Sequence, residues 1–258
     1  MTSAGRPNEL TQLAGDPSEP SAVICVLGMH RSGTSALAGC LQEAGLFLGD
    51  VNESHPHNLK GNRENQEIRQ LNDDILAYNG GAWDDPPRTL LWDSTHTERA
   101  AAIVATHFSR HSVWGFKDPR TVLTLRFWRQ ALPNLKPVGT FRHPMAVAQS
   151  LFDRGGRPIQ QSLRLWRYYN AIILEEVAKS PFACICFDLP DDGYLKQLSL
   201  IVSEINPGPR DATNRFFDAG LRHMGVPNAD DNLDPEIRAI YAALCEVSFR
   251  VRRNATTI

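Results

Sequence analysis

The stretch Val23-Ile24-Cys25-Val26-Leu27-Gly28-Met29-His30-Arg31-Ser32-Gly33-Thr34-Ser35-Ala36-Leu37 decides the fold. With Ala22 before it, this run reads as a buried strand over Ala22 to Leu27, and Gly28 and Gly33 bracket a turn. After Ser32 comes a helix with Leu37, Cys40, Leu41 and Ala44 at core spacing. Such a turn points backbone N–H groups inward beside a helix N-terminus, which is how a chain holds a phosphate-like anion. The two glycines have the spacing of a triphosphatase loop, but that loop needs lysine directly after the second glycine, and here the residue is Thr34. The cation is Arg31, inside the turn. This disfavours a magnesium triphosphate and favours a nucleotide whose outer group is small and anionic. Taken alone, the glycines also fit a strand-to-helix turn that serves only packing.

Outward from this stretch, three more apolar runs read as strands: Val113 to Phe116, Pro137 to Phe141 and Phe182 to Phe187. Helix-period segments alternate with them: Gln66 to Tyr78, Thr97 to Arg110, Thr121 to Leu132, Pro144 to Phe152, Pro158 to Lys179, and Pro235 to about Val251. The alternation predicts an α/β fold, a P-loop-like, mostly parallel β-sheet flanked by helices, formed as a single domain over residues 21–258. Residues 1–20 are rich in Gly and Pro and lack Val, Ile and aromatics, which predicts a flexible tail without the apolar core of a signal peptide. Two long, poorly periodic segments, Phe47 to Asn65 and Asn79 to Ser94, are expected to wall a binding site.

The 258 residues carry 27 Lys+Arg against 29 Asp+Glu, a net charge of −2 that excludes a bulk nucleic-acid binder. Any anion site must be local. No run of about 18 apolar residues marks a membrane span, and no Cys/His spacing matches zinc or another metal site. The five cysteines fall in apolar strand-like or helix-like runs and read as buried thiols of a cytoplasmic protein. Only five of the cations are lysine. Base composition explains that bias, although arginine forks also suit phosphate and sulfate oxygens.

The second informative segment is Thr140-Phe141-Arg142-His143-Pro144-Met145-Ala146-Val147-Ala148-Gln149-Ser150-Leu151. Pro144 fits a first helical position, so Arg142 stands just before the helix and Ser150 roughly 9 Å along its axis. A guanidinium and a hydroxyl placed in this way can converge on one phosphate. From Arg142 to Arg167 there are five arginines and one acid, Asp153, so the local field is positive.

Gly-Met-His-Arg-Ser-Gly-Thr-Ser resembles the phosphosulfate-binding loop of sulfotransferases that use PAPS, the adenosine phosphosulfate donor, and the Arg142-to-Ser150 spacing resembles that family's ribose-phosphate site. Asn58-Leu59-Lys60-Gly61-Asn62-Arg63-Glu64, then Leu71-Asn72-Asp73 and Trp83, and Trp114-Gly115-Phe116-Lys117-Asp118-Pro119-Arg120 look like its bacterial and glycan-directed branch. The likeness spans roughly Val23 to Leu189, with Phe187-Asp188 where many members carry an aromatic-acid pair. It implies sulfuryl transfer from PAPS to a hydroxyl or amine of a saccharide or small-molecule acceptor by in-line displacement, with PAP as product. One departure is clear: the Arg-Lys-Gly segment that closes over the nucleotide in many cytosolic members is absent, and Arg210, Arg215 and Arg222 show no replacing pattern.

The resemblance implies roles by position. Glu64, the acid of Lys-Gly-x-x-Glu, is expected as the base, although an acid there also suits the start of the next helix. Arg31 is expected to stabilise charge on the bridging and sulfuryl oxygens. Ser32, Gly33, Thr34 and Ser35 would hold the inner phosphate, with Arg142 and Ser150 on the ribose phosphate. Lys60, Trp83, Lys117 and Arg120 are candidates for the acceptor side; Asp118 could equally pair with Arg120 or cap the helix that follows. His96 is a reserve base, and His55 and His57 read as a solvated pair. Two other functions use the same loop: a magnesium-ATP phosphotransferase, or a nucleotide-binding scaffold without chemistry.

Overall fold

The structure is a computed structural model that describes residues 22–54, 60–206, 216–218 and 233–254. Strand β1 (Ala22–Leu27) is buried along its whole length. Its side chains alternate between two cores, as strand geometry requires. Val23, Cys25 and Leu27 enter a large core on one face, whereas Ala22, Ile24 and Val26 enter a smaller one on the other. A strand buried on both faces must be central. It pairs in parallel with β2 (Val113–Lys117) on one side and β3 (Leu135–Phe141) on the other, and β3 pairs in parallel with β4 (Cys184–Cys186). The order is β2-β1-β3-β4, the α/β fold expected.

Helix α1 (Thr34–Glu43) covers the smaller core together with α7 (Asp191–Ile205). The larger core holds α2 (Gln66–Tyr78), α3 (Ser94–His107), α4 (Thr121–Ala131), α5 (Pro144–Gly155), α6 (Ile159–Lys179) and α8 (Pro235–Asn254). Because the chain runs from β1 out to β2 and then returns past β1 to β3, the connections diverge between β1 and β3. Open α/β sheets bind ligands at the carboxyl ends of strands beside such a divergence. The glycine turn follows β1 there, and Arg142 follows β3.

Most elements lie where periodicity puts them, with informative exceptions. Helix α3 starts at Ser94 rather than Thr97, because Asp93 accepts a hydrogen bond from His96 N at 3.2 Å while His96 Nδ1 accepts from Asp93 N at 3.3 Å. This capping box uses histidine where Glu or Gln is usual. It gives His96, the reserve base of the sequence reading, a structural role as a helix cap. Helix α7 has no counterpart in the sequence expectations, although Pro190 precedes it and Asp191 and Asp192 complement its dipole. Helix α5 runs on to Gly155 and stops at Gly156 in the left-handed region, φ 70°. The expected N-terminal tail, His55, His57, Asn58, Arg210, Arg215 and Arg222 lie outside the described residues.

Candidate functional site

Two close approaches shape the turn after β1. A Cβ on Gly28 would lie 2.6 Å from the carbonyl oxygen of Thr140, and one on Gly33 would lie 2.2 Å from Cδ2 of Phe187. Gly33 also has φ 85°, a left-handed value that glycine alone adopts freely. Packing therefore does account for both glycines, yet the turn also leaves polar groups uncommitted. No side chain caps α1 and no acid stands in its first turn. Ser32 is fully buried, and its Oγ has no hydrogen-bond partner among the described residues. A buried hydroxyl without a partner beside an uncapped helix N-terminus is a place for an external anion. Gly33→Ala is expected to destabilise the protein by about 1–3 kcal/mol through backbone strain and overlap, read as a fall in Tm of roughly 2–4 °C per kcal/mol.

Arg31 sits within this turn at φ 69°, in the region that side chains other than glycine seldom occupy. Its Nε donates to Ser150 Oγ on α5 at 2.8 Å, closing a contact across 119 residues. Burial lowers its pKa, and the neighbouring Arg154 and Arg142 cations add to the effect. Two guanidinium groups thus act against the charge of Arg31. Arg142 and Ser150 were expected to converge on one phosphate, and each also has a protein partner. Arg142 Nε pairs with Asp188 Oδ1 at 3.3 Å, and its guanidinium lies 5.5 Å from the ring centroid of Phe187. Trp166 Nε1 donates to the Arg142 carbonyl at 2.9 Å and fixes the backbone. Phe187-Asp188, noted in the sequence only as a family-like pair, therefore connects Gly33 to Arg142.

A second group lies at the end of β2. Lys117 Nζ donates to Glu64 Oε1 at 2.6 Å, with side chains 1% and 14% exposed. A lysine this buried requires a counter-charge, so Glu64 has a structural task whatever else it does. Of the two readings of Asp118, the structure shows the pairing with Arg120 and no side-chain cap on α4. Asp118 Oδ1 accepts from Arg120 N at 2.8 Å, at the start of α4, and from its Nη1 at 3.1 Å, while Arg120 Nε also pairs with Asp73. Behind them Asn72, fully buried, accepts from Trp128 Nε1 at 2.8 Å and Thr124 Oγ1 at 2.7 Å. Ser35 Oγ donates to Asn62 O at 3.1 Å and ties α1 to the segment carrying Glu64. Beside Glu64 opens a cleft of about 320 Å³ lined by Asp50, Val51, Asn52, Asn62, Gln66 and Arg69.

Trp83 joins the glycine turn. Its ring lies 4.4 Å from that of His30, Tyr169 Oη donates to its carbonyl at 2.8 Å, and Arg157 lies 5.3 Å from its ring centroid. Lys60 points elsewhere: its Nζ donates to Phe216 O at 2.6 Å and stands 3.6 Å from Asp218. The structure thus groups Arg31 with Ser150, Arg142 with Phe187 and Asp188, and Glu64 with Lys117, but it does not bring Lys60 to any of them. Sequence reasoning overlooked His30, whose one signal was its place inside the glycine turn.

No protein-family model and no curated protein sequence matches the chain. Among solved structures it is similar to the sulfotransferase domain of the Synechococcus PCC 7002 olefin synthase, with TM-score 0.51 and 15% identity, covering 95% of this chain and 98% of that one. The chain has the sulfotransferase fold. A sulfotransferase of Mycobacterium tuberculosis H37Rv is a more distant likeness, with TM-score 0.45 and 15% identity over 89% of this chain and 78% of the other. In the sulfotransferase fold described above, the glycine turn, Arg142 and Lys117 all stand at the carboxyl ends of neighbouring parallel strands. Among the described residues no helix is long and apolar enough to cross a membrane, and no group of three or more His, Cys, Asp or Glu could hold a metal.

Proposed function

We propose that the protein is a PAPS-dependent sulfotransferase acting on a hydroxyl or amine of a saccharide or small-molecule acceptor. The observation that carries this reading is the turn itself: its cation is Arg31, inside the loop, and not a lysine after Gly33, beside the unpartnered Ser32 hydroxyl and the uncapped α1. These residues fit an anionic nucleotide end that needs no metal. PAPS, when bound, supplies a sulfuryl group on a phosphate leaving group.

The chain's own residues divide the remaining work. Ser32 Oγ, Thr34 and the first-turn N–H groups of α1 hold the inner phosphate. Ser35 joins them once its hydroxyl turns from Asn62 O. Arg142 and Ser150 hold the ribose phosphate; because Ser150 accepts from Arg31 Nε, its own O–H remains a donor. Arg31 stabilises charge at the transferred group. Glu64, at the edge of the cleft rich in carboxylates and carboxamides, takes the acceptor's proton at a carboxylate oxygen. Such a lining suits a hydroxyl-rich acceptor, with Trp83, Lys117 and Arg120 on the acceptor side.

Calorimetry with PAP tests the donor site. Tight capture that is unchanged by magnesium is expected, whereas capture of ATP that requires magnesium would overturn the reading in favour of a phosphotransferase. Incubation of the protein with labelled PAPS and a metabolite extract is expected to yield a labelled product. Donor binding without any labelled product would leave a scaffold.

A further inference from the structure

The donor loop contains one more side chain with unmet hydrogen-bonding capacity. His30 lies between Met29 and Arg31, its ring 4.4 Å from that of Trp83, and its Nε2 is buried with no partner among the described residues. Burial depresses its pKa well below the ordinary value, and the cations Arg120, Lys117, Arg154 and Arg31 add to the effect. These come from four directions: Arg31 from the turn itself, Lys117 from the end of β2, Arg120 from the start of α4 and Arg154 from the end of α5. The nearby acids are engaged with some of them. Glu64 neutralises Lys117, Asp118 and Asp73 neutralise Arg120, and Asp84 pairs with Arg157 behind Trp83. Arg31 and Arg154 have no carboxylate partner among the described ion pairs, so the protein's own groups make the field at His30 positive.

We propose that His30 is a proton-linked contact for the anionic end of the donor: when an anion fills the space among these cations, the imidazole takes up a proton and donates a hydrogen bond from Nε2 to it. The inference rests on the donor-site reading above and deepens it. The driving force is the reversal of the local field. Without an anion, a charged imidazole would be buried against like charges; with one, the same burial strengthens the attraction. The ligand class is a phosphate or phosphosulfate group, and the tilted contact with the neutral Trp83 ring keeps the imidazole in place in both states.

The sign follows from linkage. A group whose pKa rises on binding strengthens binding at low pH, and that contribution is lost as pH rises through the raised value. PAP binding measured by calorimetry at pH 6 in buffers of different ionisation heat is expected to show proton uptake that is missing in His30→Asn. Between pH 5 and 8 the affinity of the native protein should fall about tenfold more than that of the variant, because the imidazole titrates inside that window only with the anion bound. Nitrogen NMR of the native protein keeps the question answerable if the variant folds poorly: the His30 resonance should titrate about one unit or more higher with PAP than without. PAP binding with equal proton uptake in both proteins, or an unmoved His30 titration, overturns the inference. Failure of PAP to bind at all overturns the donor-site reading instead.

Discussion

Arg31→Ala is expected to lower sulfuryl-transfer turnover by about 10²–10³-fold while changing PAP affinity by only about threefold. The guanidinium is placed where charge develops, and interactions that strengthen in the transition state appear in turnover and not in ground-state binding. Two structural features single out this residue. Its φ of 69° holds a side chain in backbone space that costs about 1–3 kcal/mol, and its charge sits against Arg154 and Arg142 in a partly desolvated space. A position that combines strain with like-charge repulsion lowers stability, so stability does not account for an arginine there. Arg31→Gly sharpens the test, because glycine relieves the strain: that variant should melt at or above the native temperature and still lose turnover. Turnover is read with labelled PAPS and the acceptor extract, affinity by calorimetry with PAP. Loss of PAP affinity with turnover retained contradicts the role. Arg31→Lys should fall between native and alanine, since an ammonium keeps the charge but cannot donate to both Ser150 and the transferred group in one fixed plane.

How much of this was legible depends on the range of the contact. The turn from Gly28 to Gly33 is a local pattern, and its cation, its glycines and the helix that follows could be read from spacing alone. The Arg142-to-Ser150 interval was also legible as a strand end feeding a helix, but its partners were not. Ser150 meets Arg31 from 119 residues away and Arg142 meets Asp188 from 46 away, and no periodicity carries that information. Phe187 was visible as an aromatic after a strand, yet its position under Gly33 depends on β4 lying beside β3. His30 was hidden for another reason. Its importance comes from what surrounds it, a ring from a distant loop and cations from three other elements, and a lone histidine in a turn announces none of this. The misplaced start of α3 is a local failure: histidine at the third helical position of a capping box is an unusual choice that standard cap patterns pass over.

Glu64→Gln is expected to cost stability and turnover together, and separating the two decides what Glu64 does. Lys117 has a side chain only 1% exposed and is held 2.6 Å from the Glu64 carboxylate. Removing one partner of a buried pair leaves an uncompensated charge, a loss of about 3–5 kcal/mol. A missing general base costs a further 10²–10⁴-fold in turnover. A fall in activity of the single variant is therefore ambiguous, because a partly unfolded protein also turns over slowly. The double variant Glu64→Gln/Lys117→Met resolves this. Methionine fills the lysine's volume without its charge, and replacing both members of a buried pair by neutral groups is close to neutral or stabilising. Denaturant unfolding should show most of the lost stability recovered in the double variant, whereas turnover should stay at the level of the single variant. If turnover returns with stability, Glu64 serves only as the counter-ion of Lys117 and another group takes the proton. If Glu64→Gln folds, binds PAP normally and keeps full turnover, the carboxylate has no part in the chemistry. The remaining outcome, a stable double variant that binds PAP and transfers nothing while Lys117→Met alone keeps turnover, places the proton on Glu64 and limits Lys117 to holding the carboxylate at the edge of the cleft.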